Sequence, residues 1–155
     1  MTLSYKTEQN ARKLSDSLKK VLSDTFVLYF KTHSFHWNVE GPQFKALHEM
    51  FEEQYTALWQ STDEIAERIR TLGFYGPNSF KDLLGQTTLN ETGQLPDAVE
   101  MAKQLANDND AIVEQSVMPT LRLAEELGDE ATVDMMVERI QAHEQAAWML
   151  RSMTK

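Results

Sequence analysis

Nine side chains constrain this sequence more than any others. Phe44, Leu47, Phe51, Tyr55, Leu58, Thr62, Ile65, Ile69 and Leu72 follow one another at steps of three or four residues only. That spacing sets them along one stripe of an α-helix. Pro42 suits the first helical turn and Gly73 the C-terminal cap. The predicted helix has about 30 residues and is roughly 45 Å long. A long helix with one apolar stripe gains most of its stability by burying that stripe against other helices.

The rest of the chain supplies those helices. A first helix is predicted from about Thr7 to about Asn38, with Leu14, Leu18, Val21, Thr25 and Leu28 on its stripe. Lys13, Asp16, Lys19, Lys20 and Asp24 fall off the stripe. Gly41-Pro42 stops the pattern, because the residue before Pro is disfavoured in the α region. Phe74 to Gln94 has no sustained period. Within it, Ser79 and Asp82 are positioned to cap a short helix, Phe80 to Leu84, ended by Gly85. A third helix is predicted from Pro96 to Leu127, with Ala98, Ala102, Leu105, Asn109, Ile112 and Ser116 on its stripe. Pro119 predicts a bend or a break there, since an interior Pro costs about 3 kcal/mol. Gly128 ends this helix and Asp129 can cap a fourth, over 130–152. The fourth helix carries Val133, Met136, Ile140, His143, Ala147 and Leu150 in the same 3/4 pattern.

The segment between the second and third helices is too long for a simple helical hairpin. It is long enough to run back along a 45 Å helix, since an extended chain covers roughly 3.3–3.6 Å per residue. The expectation is an all-α four-helix bundle with a long crossover between helices 2 and 3, the crossover carrying a short helix. A chain of 155 residues reads as a single domain, 1–155, with residues 1–6 a flexible tail.

Composition narrows the function. Cys is absent, which removes disulfides and thiolate metal sites and fits a reducing compartment. The N-terminus is polar and no apolar run approaches the roughly 18 residues of a membrane span, so a cytoplasmic protein is expected. A net charge of −9 argues against a general nucleic-acid binder, because phosphates are held mainly by Lys and Arg.

The chemistry concentrates around the long helix. His36 and His48 flank the Gly-Pro turn, and Glu52 lies one helical turn after His48. Asp63 and Glu67 repeat the i, i+4 spacing further along. Imidazoles with carboxylates and no thiolate suit Fe, Mn, Zn or Co. Taken alone, the acidic pair also reads as a solvated helix face, and Glu49 and Glu53 are alternatives to Glu52. His33, three residues before His36, reads as an interface or surface residue rather than a ligand. His143 reads as a hydrogen-bonded core or interface residue. A di-iron bundle needs Glu-x-x-His on two helices, and none of the four histidines has Glu three residues before it. His48 and Asp63 are 15 residues apart, roughly 22 Å on a straight helix. Ligand bonds are about 2.0–2.2 Å, so one chain cannot bring both groups to one ion. Two copies of the helix, antiparallel about a two-fold axis, would set His36, His48 and Glu52 of one against Asp63 and Glu67 of the other.

HWNVEGPQFKALHEMFE followed by DEIAERIRTLG resembles the Dps family, the small ferritin-like iron-storage and DNA-protection proteins of starved bacteria. The likeness covers essentially the whole chain. It implies a ferritin-like bundle, a hollow dodecamer and a ferroxidase centre shared between two subunits. His36 and His48 match the family's histidine ligands, and Asp63 and Glu67 match carboxylates given by the partner subunit. Glu52 stands where some members have Asp near a second iron. Trp37 matches a Trp beside the site that quenches radicals. The resemblance further implies Fe(II) as substrate, hydrogen peroxide as oxidant and a ferric mineral as product, with Zn, Mn or Co as competing ions. Around the third turn, Asp129, Glu130 and Asp134 match an acidic pore at a three-fold axis, or simply cap a helix. A second reading is a DNA-compacting stress protein with incidental metal binding. Against it, DNA-binding members often carry a long Lys-rich tail, whereas only Lys6 precedes the first helix here.

Overall fold

The computed structural model describes residues 4–91 and 93–155. Among these residues every regular element is helical: α1 (Glu8–Asn38), α2 (Phe44–Thr71), α3 (Phe80–Leu84), α4 (Ala98–Ile112), α5 (Met118–Leu127) and α6 (Glu130–Ser152). A π-helical segment, Val113–Val117, joins α4 to α5, so these three pieces form one continuous long helix. The architecture is the ferritin-like four-helix bundle, with α1 and α2 as one antiparallel hairpin and α4–α5 against α6 as the other. Half of the expected tail, residues 1–3, lies outside the described residues. Ser4–Lys6 form a 3₁₀ turn, held where Asn10 Nδ2 donates to the Ser4 carbonyl at 2.6 Å.

The predicted stripes form the core. Leu18, Val21 and Leu28 of α1 meet Leu47, Phe51, Leu58, Ile65 and Ile69 of α2 and Met101, Leu105, Ile112, Met136 and Leu150 across the bundle, and Leu14 is fully buried. The α2 stripe divides, however. Phe44 is exposed and Tyr55 and Thr62 are half-buried, because the stripe slightly exceeds the width that the bundle covers. The helix ends follow their caps. Thr7 accepts from the Asn10 N–H at 3.2 Å, Ser79 from Asp82 N–H at 3.1 Å, and Asp129 from Thr132 N–H at 3.1 Å. Gly41 has φ +115°, a conformation that L side chains rarely adopt, and it turns the chain between α1 and α2.

Asp24, expected off the stripe, is instead fully buried. Its carboxylate accepts from the Thr87 hydroxyl at 2.8 Å, the Thr88 N–H at 2.6 Å and the Thr88 hydroxyl at 2.7 Å. The crossover is thereby pinned to the middle of α1, and Leu89 is buried beside the pin. Pro119 does not break its helix. The π segment shifts the register so that the Met118 N–H reaches the Val113 carbonyl, and Pro119, in the first turn of α5, lacks an N–H where register is already being changed. No helix among the described residues is long and apolar enough to cross a membrane.

Candidate metal centre

The Gly-Pro turn brings the end of α1 against the start of α2, and His36 and His48 stack across the joint. Their ring centroids are 3.8 Å apart and the planes are 16° from parallel. Each ring bonds the other's backbone: His36 Nδ1 to the His48 carbonyl at 2.7 Å, and His48 Nδ1 to the His36 carbonyl at 2.7 Å. A carbonyl oxygen only accepts, so both Nδ1 atoms carry a proton, and in the neutral rings the lone pairs lie on the two Nε2 atoms. Locking one nitrogen to free the other is how proteins orient metal-binding imidazoles.

An aromatic shell surrounds the pair. Tyr55 lies 5.2 Å from His36, edge to face, and Phe44 stacks on His48 at 4.9 Å. His33 stacks on Tyr55 at 3.8 Å, and its Nδ1 bonds the Tyr29 hydroxyl at 2.8 Å. Burial lowers the His33 pKa, the neighbouring His36 lowers it further, and Glu52 partly opposes both. Burial raises the Tyr55 pKa and Glu52 adds to the rise. Glu52 is therefore close enough to act electrostatically on this cluster, and its side chain is exposed. Trp37 is 58% exposed and lies 4.5 Å from His33. Tyr29 and Tyr55 were not singled out by sequence as members of a site; the i, i+4 relation of Tyr29 to His33 was the available signal.

Asp63 and Glu67 are exposed and lie apart from the imidazoles. Asp63 borders a broad groove of about 930 Å³ with Trp59, Pro77 and Phe80. Among the described residues no group of three or more His, Asp or Glu comes close enough to hold one ion. Asp129 is fully buried and accepts from the Arg68 guanidinium at 2.8 and 2.9 Å. Burial alone would raise its pKa, but the bonds from the Thr132 hydroxyl and Arg68 outweigh this and lower it. Asp129 is thus engaged within its own chain, whereas Glu130 and Asp134 are exposed. His143 is buried, and its Nδ1 bonds Asn109 Oδ1 at 2.8 Å.

Known proteins place this arrangement. The ferritin-like domain family matches residues 15–155. The chain is 37% identical to an uncharacterised low temperature-induced protein of Nostoc, over 94% of this chain and 82% of the relative. It is 34% identical to DNA protection during starvation protein 2 of Bacillus anthracis, over 91% of this chain and 96% of that one. The crystal structure of the Vibrio cholerae Dps protein, described as one of a broad superfamily of ferritin-like diiron-carboxylate proteins, superimposes with TM-score 0.90 at 33% identity, covering 96% and 92% of the two chains. A ferritin-like protein is thus the class that the fold and the family match define. Within that class, the chain belongs to the Dps family.

Proposed function

We propose that this chain is an iron-sequestering ferroxidase whose sites are shared between two subunits. The observation that carries the reading is the stacked His36–His48 pair, each ring held through Nδ1, with no group of three or more His, Asp or Glu among the described residues close enough to complete a site. His36 and His48 of one subunit would bind Fe(II), with Asp63 and Glu67 of its partner as the facing carboxylates and Glu52 beside a second ion. Imidazole and carboxylate suit Fe(II), and Zn, Mn or Co would compete for the same donors. Two Fe(II) ions give one electron each to hydrogen peroxide; its O–O bond breaks and two protons complete two waters. The ferric product is stored as mineral inside a hollow dodecamer, which withdraws both reagents of hydroxyl-radical chemistry from DNA. Trp37, exposed beside the cluster, takes up stray oxidising equivalents. The reading includes a single domain over 1–155 acting in the cytoplasm.

Complementation tests the shared site. His48→Ala and Asp63→Ala are each expected to lose nearly all ferroxidase activity. Refolded together, mixed dimers retain one intact site of two. If verified mixed oligomers recover no activity, the sites lie within one chain and the proposal fails.

A further inference from the structure

A second polar site lies across α2 from the imidazoles. His48, Glu52 and Tyr55 occupy one flank of the buried stripe of α2, and Glu53, Gln54 and Ala57 occupy the other. There α2, α4 and α6 enclose a pocket of about 190 Å³. Exposure falls inward, from Glu53 at the rim, through half-buried Gln54 and Arg139, to His143 at the floor, 2% exposed.

The floor is wired in one direction. Asn109 Nδ2 donates to the Leu105 carbonyl at 2.8 Å, which fixes the amide so that its oxygen faces His143. That oxygen accepts from His143 Nδ1 at 2.8 Å, so Nε2 holds only a lone pair. His143 Nε2 has no partner, and neither has the buried Gln54 Nε2. Both residues line the pocket, and an unpaired buried acceptor and an unpaired buried donor each carry a desolvation cost. Arg139 closes no ion pair among the described residues, although Glu64 and Glu138 act on it through space.

We propose that this pocket binds a small monoanionic oxyanion that keeps a hydroxyl hydrogen, either hydrogencarbonate or dihydrogen phosphate. The hydroxyl donates to His143 Nε2, and the remaining oxygens accept from Gln54 Nε2 and the Arg139 guanidinium. Each open group meets its complement, and the guanidinium fork matches paired oxygens. Glu53 at the rim, with Glu64 and Glu138 acting on Arg139 through space, opposes a dianion. Because both unpaired nitrogens are sealed from water, the guest enters as the long Gln54 side chain swings toward the rim. Burial, and then Arg139, push the His143 pKa down to about 3, which keeps the accepting lone pair available at neutral pH. The site stands independently of iron oxidation.

Calorimetric titration of iron-free protein in slightly acid buffer tests this, with hydrogencarbonate, dihydrogen phosphate, nitrate and sulfate as probes. Nitrate has the charge and plane of hydrogencarbonate but no hydroxyl hydrogen. Saturable binding of at least one hydroxyl-bearing anion is expected, about tenfold or more tighter than nitrate, and weakened about tenfold in Arg139→Gln and Gln54→Leu. Whichever anion binds tighter names the natural source. Circular dichroism checks that each variant folds, and either folded variant suffices. The inference is overturned by no saturable binding of either anion, by nitrate binding as tightly, or by unchanged affinity in the folded variants.

Discussion

At position 143 an imidazole is kept neutral chiefly by burial. Its pKa falls from the ordinary 6.5 to about 3 through burial first and Arg139 second. Below about pH 6.5 the unfolded chain takes up a proton that the folded chain refuses. Stability therefore drops as pH falls from about 6.5 toward 3, and His143 adds no pH dependence above that window. Asp129 pulls in the same direction at lower pH, since its folded pKa lies below the ordinary carboxylate value. Thermal melts between pH 7 and pH 5 cover the histidine window, to which His33, its pKa also lowered, contributes, so the comparison with a variant isolates His143. The midpoint should fall on acidification, and fall less in His143→Gln; parallel curves would refute the assignment. Sequence placed His143 on an apolar stripe, which made a core role legible. The bare Nε2 was not legible, because it depends on how Asn109 is turned by a carbonyl four residues earlier.

The long helix between the crossover and α6 shows how a local rule is met by a change of register. A Pro within an α-helix removes one bond and crowds the carbonyl four residues before it. Here Val113–Val117 has π geometry, so the strain is already accommodated by the backbone around Pro119. Pro119→Ala is consequently expected to change stability by less than about 1 kcal/mol, against the roughly 3 kcal/mol usual for an interior Pro. Urea unfolding measures this, and a gain near 3 kcal/mol would show that the bulge does not relieve the Pro. At this scale the helices were legible because a 3/4 period and capping residues act locally. α3 was readable from Ser79, Asp82 and Gly85 alone. The burial of Asp24 was not, since its three donors come from Thr87 and Thr88, far along the chain. A carboxylate off the stripe and a carboxylate pinned under a crossover look the same in sequence.

As a whole molecule the chain leaves a large aromatic surface uncovered, with Trp37 at 58%, Trp59 at 55% and Phe80 at 71% exposed. Trp59 and Phe80 border the groove that Asp63 shares, the face that the proposed two-fold contact would cover. The distance between His48 and Asp63 was legible from residue numbers along α2, because helical rise is fixed. What spacing could not supply was the crossed pair of bonds that orients both imidazoles. Charge decides the other partner. With a net charge of −9, the assembled protein should give weak or no gel shift of duplex DNA at physiological salt, and no more than a salt-sensitive shift at low salt. Strong retardation at physiological salt would instead favour the DNA-compacting reading.

The two carbonyl bonds between His36 and His48 also act as a clasp. They join α1 to α2 independently of the peptide chain that runs around the turn. Glu40 to Gln43 are exposed, open to a protease, yet the helices they link meet through buried Phe35, Leu47 and Phe51 and through the clasped rings. A single cut between Glu40 and Gly41 should therefore leave the hairpin assembled. Native-gel mobility and helicity are expected to survive the nick, and separation of the two fragments without denaturant would show that the covalent turn, rather than the clasp, holds the pair together.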